Sequence, residues 1–503
     1  MDKVILHNIN GLFEYPQEDF SAKTPKEILS EAFGFNEFRG SQEEIINSIC
    51  SGKNCLGIMP TGSGKSLCFQ IPALKNNKLT LVVSPLIALM KDQVESLQKK
   101  GIHSAFYLNS TMSQEAIMAV LKLIEMNKIK LLYIAPEALK KREIIQILQK
   151  KVGIFVIDEA HCIVTWGKDF RPEYQNLREY TNLLGNPPIL ALTATANQEM
   201  IKEIEKNLSL RFEVFEESAL RKNIYIEVLK DAEEKEDEII GIIKNISGHT
   251  IIFCALRETT EEISSLINSI NISALPYHAG LSKEQRKENQ DKFMNDEVRI
   301  IVATKAFGMG IDKKDIRNVI HYNLPQTIED YYQEIGRGGR DGKPTRAIVF
   351  CSNNDINKTK SRIFASFPGR QKLGRMLFSL KEYRQSFIPI TKSLIAKTID
   401  INEAMLNDIL ERLEKNGAIK VQPATGLIYI EEKIMDMDVS SFEEIFTLAR
   451  IEKMQKFNIL ANCLTWKSCI TKQILNYLGK TYKEEVCNNC SVCSPEKRFC
   501  NLV

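Results

Sequence analysis

The segment Met59-Pro60-Thr61-Gly62-Ser63-Gly64-Lys65-Ser66 constrains this chain more than any other, because few folds accommodate it. It follows the apolar run ending at Ile58 and leads into the helical pattern of Leu67-Cys68-Phe69-Gln70. Glycines at 62 and 64 let backbone N–H groups curl around an anion, and the following helix presents its positive N-terminal end to it. Lys65 would neutralise β- and γ-phosphate charge, and Ser66 would hold Mg²⁺. Thr61, Gly62, Ser63 and Gly64 would line the phosphate cradle. Such a loop needs a parallel sheet behind it, so an α/β architecture is expected.

The rest of the first 350 residues carries that pattern. Buried strands are expected at 79–84, 130–134 and 154–157, where the runs are nearly continuously apolar, with helices such as 86–100 and 198–207 between strands. The alternation restarts at 250–253, 298–302 and 347–350. Two lobes are therefore expected, at 26–210 and 211–355, with residues 1–25 as an extension lacking clean periodicity.

Ile157-Asp158-Glu159-Ala160-His161 places two acids at the end of an apolar strand. Asp158 suits the Mg²⁺ shell, and Glu159 suits orientation or deprotonation of an attacking water. In the second lobe, Arg337 and Arg340 stand three apart, a spacing that lets both face one way. Guanidinium groups delivered to a γ-phosphate from another lobe would make lobe closure and hydrolysis interdependent. Downstream of the acids, Trp166, Phe170, Arg171 and Tyr174 crowd a stretch punctuated by Gly167 and Pro172. Aromatic faces stack on unpaired bases while Arg meets phosphate, although aromatics that merely pin a loop give the same pattern. Thr193 and Thr195 offer hydroxyls to a sugar–phosphate backbone or to the acidic motif.

Charge is nearly balanced, 67 Lys and Arg against 64 Asp and Glu, so nucleic-acid affinity would have to come from local patches. One candidate is the stretch between positions 356 and 381, with seven basic residues and no acid. Beyond it, helical patterns at 391–399 and 403–416 precede a hairpin over 418–432, which suggests a winged-helix-like segment within 356–440. The absence of a long apolar run or a secretory signal argues for a cytoplasmic protein with reduced thiols and no membrane.

Six of the twelve cysteines fall between Cys463 and Cys500. Cys469, Cys487, Cys490 and Cys493 follow C-x17-C-x2-C-x2-C, a spacing suited to tetrahedral Zn²⁺, with an iron–sulfur cluster the lesser alternative. Cys463 and Cys500 are expected to be spectators of a helical zinc-binding module over 441–503.

From the run Phe33-Gly34-Phe35-Asn36-Glu37-Phe38-Arg39-Gly40-Ser41-Gln42 to about residue 352, and again at the terminal cysteines, the chain resembles the RecQ family of superfamily 2 DNA helicases. The matching motifs stand in family order: 83–93, Ala135-Pro136-Glu137, 191–196, Tyr277-His278-Ala279-Gly280-Leu281, 303–312 and 332–342. The resemblance implies two tandem RecA-like parallel-sheet lobes followed by the winged-helix-like segment and the zinc module. It implies that Phe35, Arg39 and Gln42 hold adenine and that Gly310, Asp312, Gln333, Arg337 and Arg340 face the nucleotide. It implies ATP, Mg²⁺ and Zn²⁺ as cofactors and DNA contact at Trp166, Phe170 and Arg171. The activity it implies is ATP-dependent 3′–5′ translocation on single-stranded DNA with unwinding of duplex, in recombination and repair. A monomer is expected, with a single-strand-binding protein as a candidate partner. An RNA helicase on the same core and a non-enzymatic DNA-binding scaffold are the alternatives.

Three departures from the family stand out. Gly338 replaces the usual Ala, which would loosen that turn. Lys168 replaces a His. In many members the zinc module follows the second lobe directly with a winged helix behind it, whereas here the winged-helix-like segment comes first. The chain stops ten residues after Cys493, so no further nucleic-acid-binding domain is expected to follow.

Overall fold

The computed structural model describes residues 3–498 apart from 15–18, 61, 86, 111, 166–171, 195, 218–220, 231–233, 308–312, 386–389, 400–402, 423–426, 481, 483 and 485. Each apolar run of the first two hundred residues becomes a strand of one parallel sheet. These are β1 (Cys55–Ile58), β2 (Leu79–Val83), β3 (Ala105–Leu108), β4 (Leu131–Ile134), β5 (Val152–Ile157), β6 (Ile189–Thr193) and β7 (Glu213–Glu216), in the spatial order β3-β4-β2-β5-β6-β1-β7. Helices cover both faces, which is why the central strands are buried along their whole length. β1, β6 and β5 are neighbours, so the loops that leave their C-terminal ends converge at one place.

The second sheet repeats the plan with β8 (Ile224–Leu229), β9 (His249–Phe253), β10 (Ala274–Tyr277), β11 (Ile300–Ala303), β12 (Ile316–His321) and β13 (Thr345–Phe350), ordered β10-β11-β9-β12-β13-β8. All its pairings are parallel.

The N-terminal stretch, expected to lack periodicity, forms a helix over Lys3–Glu14 that buries Val4, Ile5, Asn8 and Gly11. Asn8 donates Nδ2 to the carbonyl of Ala105 at 2.7 Å, so this helix covers the otherwise open edge strand β3. Polar Asn8 and Gly11 at inward positions hid the helical repeat. Gly11 is where the helix approaches closely: a Cβ there would stand 2.3 Å from the His103 ring.

After β13 come helices Asn353–Ala365 and Arg370–Gln385, then a small unit, then a long helix, Val439–Thr465, that packs back on both. The small unit has winged-helix topology. Ile390 bridges to Ile428, helices Lys392–Ile399 and Glu403–Lys415 follow, and β14 (Ile419–Val421) pairs antiparallel with β15 (Ile428–Ile430). Gly417, at φ 73°, ends the second helix as its left-handed stop. The hairpin tip lies outside the described residues. In space the winged unit is thus an insertion between two packed helices, which explains the unusual order of modules along the chain.

Lobe 1 is closed around one core running from Val4 to Phe212. Lobe 2 is not self-contained. One face of its sheet shares a core with everything C-terminal to it, through Leu377, Leu413, Ile428, Phe446, Phe457 and Ile470 to Cys490. Among the described residues no helix is long and apolar enough to cross a membrane.

Candidate nucleotide site between the lobes and the four-cysteine cluster

The phosphate loop leaves β1 with Gly62 and Gly64 at φ 79° and 84°, values that favour glycine. Lys65 folds back and donates Nζ to the carbonyls of Met59 (3.1 Å) and Pro60 (3.4 Å), inside the curl of its own loop. Thr61 lies outside the described residues. Gln42, 2% exposed, donates Nε2 to the carbonyls of Ser63 (2.9 Å) and Gly64 (3.2 Å), and its Oε1 accepts from the Arg39 N–H at 2.9 Å. The amide expected to read adenine is therefore also a brace on the phosphate loop, using both its donor and its acceptor. Phe35 and Arg39 are exposed beside it. The Ser41 N–H donates to Glu217 Oε1 at 2.9 Å, tying this segment to the end of lobe 1.

At the end of β5, Asp158 accepts from the Glu159 N–H (3.0 Å) and lies 3.5 Å from Ser84 Oγ. Burial, reinforced by the Glu159 charge, pushes the Asp158 carboxyl up to about 7. Glu159 sits at φ 50°, an uncommon conformation for a side-chain-bearing residue, with its carboxylate 3.3 Å from His161 Nδ1. Burial lowers the His161 pKa. Thr193 Oγ1 is 3.1 Å from His161 Nδ1, while its carbonyl accepts from the Met59 N–H at 2.9 Å. The end of β6 thereby bonds to both the phosphate loop and the acidic motif, because β6 lies between β1 and β5. The Thr193 hydroxyl, expected to contact a sugar–phosphate backbone or to bridge the two acids, makes its contact here with His161, next to them in the motif. Thr195 is outside the described residues.

The second lobe closes this site. The Arg340 side chain lies directly over Gly62: a Cβ on that glycine would meet Arg340 Cγ at 2.8 Å and Cδ at 3.0 Å. Arg337, 6% exposed, feels the Glu159 carboxylate across the cleft. Burial and then the neighbouring Arg340 lower its pKa to about 10, so it remains a cation at neutral pH. Lys314 Nζ stands 6.0 Å from the Phe35 ring centroid, a further contact between lobes. Gln333 is half-buried on the helix Ile328–Ile335, which is N-capped by Thr327. Gly310 and Asp312 lie outside the described residues.

Gly338 needs a correction to the expected looseness of its turn. A Cβ there would sit 2.4 Å from the Thr345 methyl and 3.3 Å from Val319, so the space an alanine would use is already filled.

Of the expected DNA-contact residues, Trp166, Phe170 and Arg171 lie outside the described residues. Tyr174 is 1% exposed and belongs to the lobe 1 core, which is a packing role. Sequence reasoning missed several supports. Gln70 donates to Gln93 Oε1 at 3.0 Å and thereby links the helix behind the phosphate loop to the motif at 83–93. Arg221 and Asn223 reach the loop carrying both arginines, and neither had a periodic or compositional signal.

At the C-terminus, Cys469, Cys487, Cys490 and Cys493 bring their sulfurs within 4.8 Å of one another. Cys469 N-caps the helix Ile470–Tyr477 and accepts from the Lys472 N–H, and Cys487 accepts from the Asn489 N–H. Hydrogen bonds from the Cys469 and Cys487 thiols pull the Cys490 thiol far below its usual range. Four sulfurs this close form a donor set that a tetrahedral dication fits by displacing thiol protons. The cluster sits on lobe 2. Ile226 of β8 accepts from the Ser491 N–H (2.8 Å) and donates to the Asn489 carbonyl (3.0 Å), which continues the sheet at its edge. Cys463 is buried in the shared core. Cys500 is outside the described residues.

Comparison with known proteins agrees with this geometry. Residues 39–204 match the DEAD/DEAH box helicase family and residues 234–342 the helicase conserved C-terminal domain. The chain is 35% identical over 480 residues to RecS of Bacillus subtilis, a probable ATP-dependent DNA helicase, covering 92% of this chain and 91% of the relative. It is 43% identical over 335 residues to the ATP-dependent DNA helicase RecQ of the same organism, covering 65% of this chain and 56% of the relative. Thus it spans little more than half of that RecQ, whereas the RecS match runs well past the second lobe. The solved structure of the Mycobacterium smegmatis helicase Lhr bound to single-stranded DNA and AMP-PNP superposes with a TM-score of 0.56 at 18% identity, covering 85% of this chain and 63% of Lhr. Fold and site define a two-lobe helicase core of superfamily 2. Within that class, the chain belongs to the RecQ family of ATP-dependent DNA helicases.

Proposed function

We propose that this chain couples ATP hydrolysis to 3′–5′ translocation on single-stranded DNA and unwinds duplex during recombination and repair. The observation that carries the reading is the approach of Arg340, from the second lobe, to Gly62 of the phosphate loop, since hydrolysis then depends on how the lobes meet. ATP entering the loop would draw Lys65 from the Met59 and Pro60 carbonyls to the β- and γ-phosphates. Gln42 would sense adenine and pass that state to Ser63 and Gly64, with Phe35 and Arg39 flanking the base. Ser66 and Asp158 would hold Mg²⁺, which supplies charge neutralisation at the phosphates. Glu159 would orient the attacking water, with His161 and Thr193 linking it to the DNA-facing loops. Arg337 and Arg340, with Gln333, would stabilise the transferring phosphoryl group. Thr61, Gly310 and Asp312 would complete the nucleotide site, and Trp166, Phe170 and Arg171 would meet single-stranded DNA, as the family resemblance implies. The four cysteines would bind one structural Zn²⁺. A cytoplasmic monomer that meets a single-strand-binding protein fits this reading.

The test is unwinding of duplexes with 3′ or 5′ tails, with and without ATP, beside ATPase stimulation by single-stranded DNA and by RNA. Unwinding of the 3′-tailed substrate and preferential stimulation by DNA are expected. Stimulation by RNA alone would transfer the chain to the RNA-helicase alternative, and the absence of any stimulated hydrolysis would leave a scaffold.

A further inference from the structure

The loop that carries Arg337 and Arg340 is clamped by a residue outside every motif named above. Arg221, in the segment joining the two lobes, donates Nη2 to the carbonyls of Gly338 and Gly339, both at 2.9 Å, and Nη1 to that of Gly336 at 3.3 Å. Two residues on, Asn223 donates Nδ2 to the carbonyls of Gly339 (2.8 Å) and Lys343 (2.9 Å). The Thr345 N–H donates to the Asn223 carbonyl at 2.8 Å. The carbonyls on either side of Arg337, and the one just before Arg340, are thus gripped by the interlobe segment. Gly339 has no room for a side chain there, since a Cβ would stand 2.4 Å from Asn223 Nδ2, and its φ is 55°.

That segment is itself held from the C-terminal side. Asn489, between Cys487 and Cys490, donates Nδ2 to the carbonyls of Lys222 (2.9 Å) and Ile224 (2.5 Å). Hydrogen bonds therefore tie the cysteine loop to positions 222 and 224, and positions 221 and 223 to the arginine loop, whose Arg340 lies over Gly62.

We infer that Arg221 and Asn223 are positioning residues for Arg337 and Arg340, and that Asn489 transmits the state of the cysteine loop to them. Arg221 acts through the carbonyls it holds. A planar guanidinium spreads its donors over two terminal nitrogens in a fixed fork, whereas the three donors of an ammonium radiate from a single rotating atom. The inference rests on the proposed ATPase reading, where a misplacement of about 1 Å costs about 100-fold in rate.

Two readouts on the full-length protein test it separately from that reading. Hydrogen exchange of the Arg221→Ala protein should show faster exchange confined to residues 335–343, whether or not the chain hydrolyses ATP. In single-turnover hydrolysis, Arg221→Ala should lower kcat about 100-fold with KM for ATP little changed, and Arg221→Lys should recover only part of it. In an Arg337→Ala background Arg221→Ala should add less than its full effect, because only Arg340 is then left for it to position. Unchanged exchange at 335–343, or a full 100-fold further loss in the double variant, would overturn the positioning role. A wild-type protein without ATPase activity removes the functional reading but leaves the exchange result to decide the clamp. Asn489→Ala should loosen 222–224 and 335–343 at unchanged metal content, and unchanged exchange there would refute the link to the cysteine loop.

Discussion

The two lobes have the same sheet plan but are stabilised differently. Lobe 1 closes on itself: one core from Val4 to Phe212, with the Lys3–Glu14 helix sealing the exposed edge at β3. Lobe 2 shares a face with the C-terminal helices, and its edge strand β8 is completed by the cysteine loop at Ile226. Each lobe brings half of the proposed nucleotide site. The half proposed to bind phosphate sits on lobe 1, and the half proposed to sense closure sits on the lobe braced from outside. Nucleotide binding and nucleotide hydrolysis should therefore have different structural dependencies.

The largest effect should come from the braced half. Arg337→Ala is expected to slow hydrolysis by roughly 10³–10⁵ while ATP binding, measured with a fluorescent nucleotide, persists. Lys65→Ala should weaken binding as well, and equal binding losses in the two variants would erase the contrast. Removal of metal by a chelator, or Cys490→Ser, should come next. It should destabilise lobe 2 with the C-terminal helices by several kcal/mol and leave lobe 1 folded, giving two calorimetric transitions where only the lower one moves. A single transition shifting as a whole would show that the lobes share their stability after all. Phe457→Ala, in the shared core, should cost about 3–5 kcal/mol in the lobe 2 transition, and Phe155→Ala a similar amount in that of lobe 1. The smallest effect concerns lobe 1 chemistry alone. Burial and the Glu159 charge push the Asp158 carboxyl up to about 7, so protons should compete with Mg²⁺ below that pH. Mg²⁺ affinity without nucleotide should fall towards about tenfold per pH unit as pH drops below 7 and level off above it, and Asp158→Asn should abolish the dependence.

Much of this was legible in the residues themselves. Parallel strands buried on both faces must be apolar throughout, so 79–83, 131–134 and 249–253 announced themselves as strands. Glycines at left-handed φ marked the phosphate loop and the helix stop at Gly417. The cysteine spacing foretold a four-sulfur cluster. The first helix escaped notice because Asn8 and Gly11 face inward and break the apolar repeat. Gly338 read as a loose turn because its neighbour Thr345 comes from the next strand, seven positions on. Arg221 and Asn223 bond carbonyls more than a hundred positions away, and no local pattern encodes a partner that distant.

The phosphate loop, the acids at 158 and 159, the arginines at 337 and 340 and the four cysteines were determined by sequence alone, because each depends on short spacing along one turn or loop. The meeting of Arg340 with Gly62, the grip of Arg221 on the arginine loop and the completion of β8 by the cysteine loop were decided only by the tertiary structure. Those contacts join segments more than a hundred positions apart, and their geometry is set by how two sheets and a shared core pack.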